Sequence, residues 1–291
     1  MRDVFKFVDD FLNLPTSELE EELYDNGYQI VRGNLIKKGK SRVWLTAHID
    51  TYNDYLFGEF KEIYPLKIVI EDNFILQAQF YHLIQQENKT IEEVYLNPIE
   101  LLNLNDKLRK RKIIYKDDLD DVELVEEHFL HITGEKRKIE SFEELNLKTA
   151  LGADDRLGVF LCDLIYNKTN GEFGVVLSNN EESSYNSIEY LDNDFWFDNK
   201  VEMLIALDKR DNYYSTNKFF NNNELEEFLQ SNGFKKLNED DRSSNIDYVN
   251  IPAINIGIGF YNEHTPFEII NLEKTEKTLD LLLKLLSAFS K

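Results

Sequence analysis

The chain has 291 residues, enough for one large α/β domain carrying an insertion or for two domains. Its 55 acidic against 33 basic residues leave a formal net charge of −22, which argues against nucleic acid and anionic membrane surfaces as partners and weakly favours cationic ligands such as free amino termini. A single cysteine, Cys162, excludes an intrachain disulfide and a thiolate metal cluster.

Val4, Phe7, Val8 and Phe11 recur at helical spacing until Pro15, and residues 17–27 give a second short helical pattern. The amino terminus is acidic within ten residues and lacks the apolar core of a signal peptide. No apolar run approaches bilayer length, so a cytoplasmic protein without a membrane partner is expected. Residues 28–37 read as a strand that turns at Lys38-Gly39-Lys40-Ser41 into a second strand, Val43-Trp44-Leu45-Thr46-Ala47, forming a hairpin that delivers His48.

Residues 52–148 change register and read as an inserted subdomain of mixed α+β type. A hairpin across Asp72-Asn73 joins strands at 66–70 and 74–80, and helical patterns follow at 90–104 and 118–132. The basic run from Lys107 to Lys112 is answered at once by the acidic run from Asp117 to Asp121, which reads as compensating solvated charge. His82, His128 and His131 have no accompanying carboxylate or cysteine motif in ligand register and read as structural.

After residue 148 helix and strand alternate. A helical pattern runs from Asp154 to about residue 167, with Cys162 on its apolar face. Strands precede Glu181 and Asp208, a helix lies near Ser187, another covers 222–230, a strand covers 253–258, and Leu279, Leu282, Leu283, Leu286 and Phe289 mark a closing helix. This alternation predicts an α/β architecture with helices on a mixed, largely parallel sheet. Residues 1–51 and 149–291 would form the main domain.

In such sheets the ligand crevice lies beyond the carboxyl ends of the strands, so residues there converge whatever their separation in sequence. His48, the pair Glu181-Glu182, Asp208 and His264 all follow strand-like runs, and Asp154-Asp155 opens a helix. Taken singly, each has a bland reading: a histidine paired with Asp50 at a strand end, a helix N-cap, a surface acidic pair. Together they offer imidazole nitrogen and carboxylate oxygen, the ligand types that suit zinc. Five ligands with a spare glutamate fit two metals sharing a bridging carboxylate better than one metal. Glu268, four residues after His264, reads as an outer partner of that histidine.

These residues resemble a known group, the co-catalytic di-zinc peptidases related to bacterial leucyl aminopeptidase, the tetrahedral aminopeptidases, tripeptidase T and the acylase/carboxypeptidase family. Ala47-His48-Ile49-Asp50-Thr51, Gly152-Ala153-Asp154-Asp155-Arg156-Leu157-Gly158, Asn180-Glu181-Glu182, Ala206-Leu207-Asp208 and His264-Thr265 are similar to its five site motifs, in the same order. The resemblance implies a three-layer zinc-exopeptidase fold and two divalent ions, zinc first, with cobalt or manganese as alternatives. It implies His48 and Asp208 as terminal ligands of one metal, Glu182 and His264 of the other, and an aspartate of the 154–155 pair as the bridge, Asp154 matching better than Asp155. Glu181 would be the general base and Asp50 the carboxylate that orients His48. The implied activity is removal of amino-terminal residues from peptides, with hydrolysis of N-acyl amino acids or another small amide, or a silent binding protein, as alternatives. The sequence departs from the group in lacking a glycine after Glu182, where Ser183-Ser184 stand. Its insertion lies between the first two motifs, as in the tetrahedral aminopeptidases, and gating, recognition of peptide length or formation of a homo-oligomer are the roles open to it.

Overall fold

Along the central strands, neighbouring side chains enter two different cores. Leu45, Ala47, Val175, Leu177, Ile205, Leu207, Ile254 and Ile256 point into the larger core. Trp44, Val176, Leu204, Ala206 and Ala253 point into a smaller one on the opposite face. Strand side chains alternate with period two, so a sheet whose residues are apolar at both parities must be covered on both sides. The structure, a computed structural model, describes residues 6–51, 68–71, 73–77, 151–182, 186–237, 245–261, 263–264 and 268–289. The helical patterns at 90–104 and 118–132, the run from Lys107 to Lys112 and His82, His128 and His131 lie outside the described residues.

Among the described residues, the main sheet has eight strands. They are β1 (Gln29–Val31), β2 (Asn34–Lys37), β3 (Val43–His48), β6 (Gly174–Ser178), β7 (Met203–Lys209), β8 (Tyr213–Thr216), β9 (Lys235–Lys236) and β10 (Ala253–Gly257). Their spatial order is β1-β2-β6-β3-β7-β10-β8-β9, and the core run β6-β3-β7-β10 is parallel throughout. The expected α/β class with a mixed, largely parallel sheet is what the chain adopts. A second, antiparallel sheet joins β4 (Ile68–Glu71) and β5 (Phe74–Gln77) to β12 (Ile269–Asn271) and β11 (Phe260–Tyr261). The hairpin expected across Asp72-Asn73 is thus present.

The larger core lies under α1 (Thr16–Asp25), α2 (Ala153–Lys168), α4 (Asn223–Ser231) and α5 (Leu272–Phe289). The smaller one is closed by Ile188, by Trp196 of α3 (Asn193–Asp198) and by Ile246 and Val249. Helix starts follow their capping chemistry: Asp192 accepts the N–H of Phe195 and Asn222 that of Leu225. Cys162 is fully buried, as its apolar setting predicts. No described helix is long and apolar enough to cross a membrane.

One local expectation is corrected. Residues 28–37 are not a single strand paired with β3. Arg32 and Gly33 have φ values of 51° and 80°, the two-residue geometry of a tight hairpin, and split the segment into β1 and β2. β2 then pairs antiparallel with β6, which lies between it and β3. The flanking β6, apolar at every inward position, gives β3 two parallel neighbours and places His48 at the middle of the sheet.

Candidate active site

The register of the parallel strands brings the ends of β3, β6 and β7 together. His48 pairs with Ser178, three residues before Glu181. Thr46 pairs with Ala206, and the same offset leads from His48 to Asp208. Asp154 enters from the start of α2, which packs against this end of the sheet, and His264 from the chain just after β11. Gly158 makes the close approach of α2 feasible, because a Cβ there would collide with the Asp155 carboxylate and the Leu207 carbonyl.

Asp154 sits between the two histidines and offers each a different oxygen. His48 Nε2 lies 3.2 Å from Asp154 Oδ1 and 3.6 Å from Asp208 Oδ1. His264 Nε2 lies 3.1 Å from Asp154 Oδ2 and 2.8 Å from Glu182 Oε1. Two sets of potential metal donors result, His48-Asp154-Asp208 and Asp154-Glu182-His264, each with ligand atoms within 4.8 Å of one another. A third set joins His48 to Glu181 and Glu182, with Glu181 Oε2 3.9 Å from His48 Nε2. These clusters of imidazole nitrogen and carboxylate oxygen, buried at His48, Asp154 and Asp208 and half-buried at Glu181, Glu182 and His264, fit divalent cations. Asp155, joined to Asp154 by a cis peptide, belongs to none of these donor sets.

Around these donors stand three carboxylates, each forked across two backbone amides. Asp50 accepts the N–H groups of Glu181 and Glu182 at 3.1 and 3.0 Å. Asp155 accepts those of His48 and Gly158, both at 3.1 Å. Glu268 accepts those of Gly152 and Asp154 at 2.7 and 2.9 Å. The Glu268 carboxylate therefore grips the turn that carries Asp154, a partner that its spacing from His264 does not suggest. The contacts of Asp50 are likewise richer than a carboxylate–imidazole pair. His48 Nδ1 is 2.9 Å from the backbone carbonyl of Asp50 and 3.6 Å from its carboxylate, so the carbonyl is the nearer acceptor. An Nδ1 proton held there leaves Nε2 free to act as a ligand. Asn255, within β10, accepts the Asp208 N–H and donates to its carboxylate at 3.1 Å. It was legible only as a polar residue inside an apolar strand.

The charges are unbalanced. Burial opposes a charged His48, but Glu181, Asp154, Asp208 and Asp50 carry its pKa well above the histidine range. Burial likewise opposes the charged form of His264, yet Asp154 and Glu182 raise its pKa to about 11. Burial acts on Asp154 too, but hydrogen bonds from both histidines hold it far below the usual carboxylate value. Glu181 and Glu268 are pushed up to about 8, first by burial and then by neighbouring carboxylates.

No protein-family model and no curated protein matches the sequence. Among solved structures, the chain is similar to aminopeptidase PepT from Bacillus cereus, with a TM-score of 0.58 at 12% identity over 100% of this chain and 98% of that one. It is also similar to a tripeptidase from Staphylococcus aureus, with a TM-score of 0.52 at 9% identity over 99% of this chain and 98% of that one. At these identities the likeness is one of architecture: the chain has the α/β fold of these two structures.

Proposed function

We propose that the protein is a metal-dependent aminopeptidase that removes amino-terminal residues from peptides. The observation that carries this reading is the placement of Asp154, one oxygen toward His48 and the other toward His264. On this reading His48 and Asp208 hold one cation, Glu182 and His264 a second, and Asp154 both. Zinc suits the donor set best, and cobalt or manganese are the natural substitutes. The fold shared with an aminopeptidase and a tripeptidase supports the choice of peptide substrates. Residues 1–51 and 149–291 would form the catalytic domain and 52–148 an insertion.

Cations bound here supply Lewis acidity at the scissile carbonyl and make water a stronger acid. Glu181 is the base that takes the proton from the attacking water and returns it to the leaving amine. Its backbone N–H is held by Asp50 at 3.1 Å, which fixes the base relative to His48. The acidic residues that are not ligands favour a protonated substrate amino terminus near the site.

Hydrolysis of a matched peptide pair, free and N-acetylated, by protein stripped with chelator and reloaded with zinc, cobalt or manganese tests the reading. Metal-restored cleavage of the free peptide is expected. Cleavage of the acetylated peptide alone would replace this function by deacylation, and metal binding without cleavage of either would replace it by a silent binding role.

A further inference from the structure

We infer that Glu268 is a positioning residue that fixes the orientation of Asp154 between the two histidines, an inference that rests on the reading of Asp154 as the shared ligand. Glu268 is completely buried, and both of its oxygens are engaged, Oε2 by the Gly152 N–H at 2.7 Å and Oε1 by the Asp154 N–H at 2.9 Å.

These amides belong to a stretch of backbone that the helix itself does not organise. Gly152 has φ 80° and ψ 23°, Asp154 φ −83° and ψ 101°, and Asp155 φ −123° and ψ 35°. The first N–H groups of a helix have no partner within it, and here the turn departs from helical geometry as well. The acceptor comes from a distant part of the chain. Glu268 lies four residues after His264 and directly before β12, so one short stretch supplies both the imidazole 3.1 Å from Asp154 Oδ2 and the carboxylate that holds the Asp154 backbone. The side chain and the main chain of Asp154 are thereby referenced to the same neighbour. This arrangement needs a two-pronged acceptor. Glutamine has the same volume, but its NH2 group would oppose one of the two N–H donors.

The test is carried out on the full chain with cobalt(II) as the probe. In metal-free protein, Glu268→Gln is expected to shift the backbone amide resonances of Gly152 and Asp154. By equilibrium dialysis it is expected to weaken cobalt affinity 10–100-fold, with altered visible absorption of the bound ion. Glu268→Asp, which keeps both oxygens, should recover part of that affinity and serves as the reporter if the glutamine variant does not fold. Glu226→Gln, which removes a carboxylate bonded to Tyr214 and Lys236, should leave cobalt binding unchanged. Wild-type affinity and spectrum in Glu268→Gln, or equal losses in Glu226→Gln, would overturn the inference. So would a wild-type chain that binds no cobalt, together with the ligand assignment. Cobalt binding without peptide hydrolysis would sink the proposed activity alone, because affinity and amide signals report on Asp154 independently of turnover.

Discussion

His48 and His264 approach the same carboxylate at nearly equal distances, 3.2 and 3.1 Å, yet the side chain of the first is 1% exposed and that of the second 40%. His48 ends a strand flanked by two parallel neighbours, with its backbone N–H taken by Asp155 and its Nδ1 by the Asp50 carbonyl. His264 stands at φ 61° on the short connection after β11. His48 is therefore built into the sheet, while His264 is held by a loop and leaves part of its ring in solvent, with its Nε2 buried against Asp154 and Glu182.

The sharpest probe of that contrast is Glu181, whose contacts lie on the His48 side. Glu181→Gln should lower turnover by about 10²–10⁴-fold while two metals remain bound, as read by steady-state rates and metal analysis. Loss of a metal would make Glu181 a ligand, consistent with its place in the set with His48 and Glu182, and would move the base elsewhere. His48→Ala comes next. It leaves Asp154 and Asp208 buried without their shared imidazole, and chemical denaturation should register a loss of about 3–5 kcal/mol along with one metal. Zinc added to metal-free protein at about 100 times its Kd should raise stability by about 2.7 kcal/mol, through relief of the carboxylate excess. His264→Ala should also cost one metal, and it should cost less stability than His48→Ala, because part of the His264 ring already faces solvent although Asp154 and Glu182 lose their shared imidazole. Equal stability losses at 48 and 264 would show that the two halves are not mechanically distinct.

His48, Asp208 and Glu181-Glu182 are legible in the sequence because an apolar run stops at each, and a sheet converts the ends of such runs into a common place. Lateral order is not written in the same way. Residues 28–37 precede β3 directly and invite a hairpin with it, but β6 intervenes, and that choice is made by backbone pairing between segments far apart in the chain. Asp154 and Asp155 are chemically identical neighbours. Only their backbone angles decide that one faces the histidines and the other grips the His48 amide. The strands Tyr213–Thr216, Lys235–Lys236, Phe260–Tyr261 and Ile269–Asn271 are too short for a period of two to stand out, so the margins of both sheets stay hidden. Glu268 lies in a suggestive position, but its target on the Gly152–Asp154 backbone emerges only from the fold.

The pairing of Phe74–Gln77 with Ile269–Asn271 bears on how this protein could be cut or rebuilt. Leu272, the first residue of α5, also donates its N–H to the Asn73 carbonyl at 2.7 Å. The described residues 68–71 and 73–77 are thus joined to the remainder of the chain through hydrogen-bonded sheet. Excising residues 52–148 would strip one side of β12 and expose a raw strand edge next to Glu268, a template for sticking to other chains. A minimal version of the protein should therefore retain residues 68–77 or put another strand in their place.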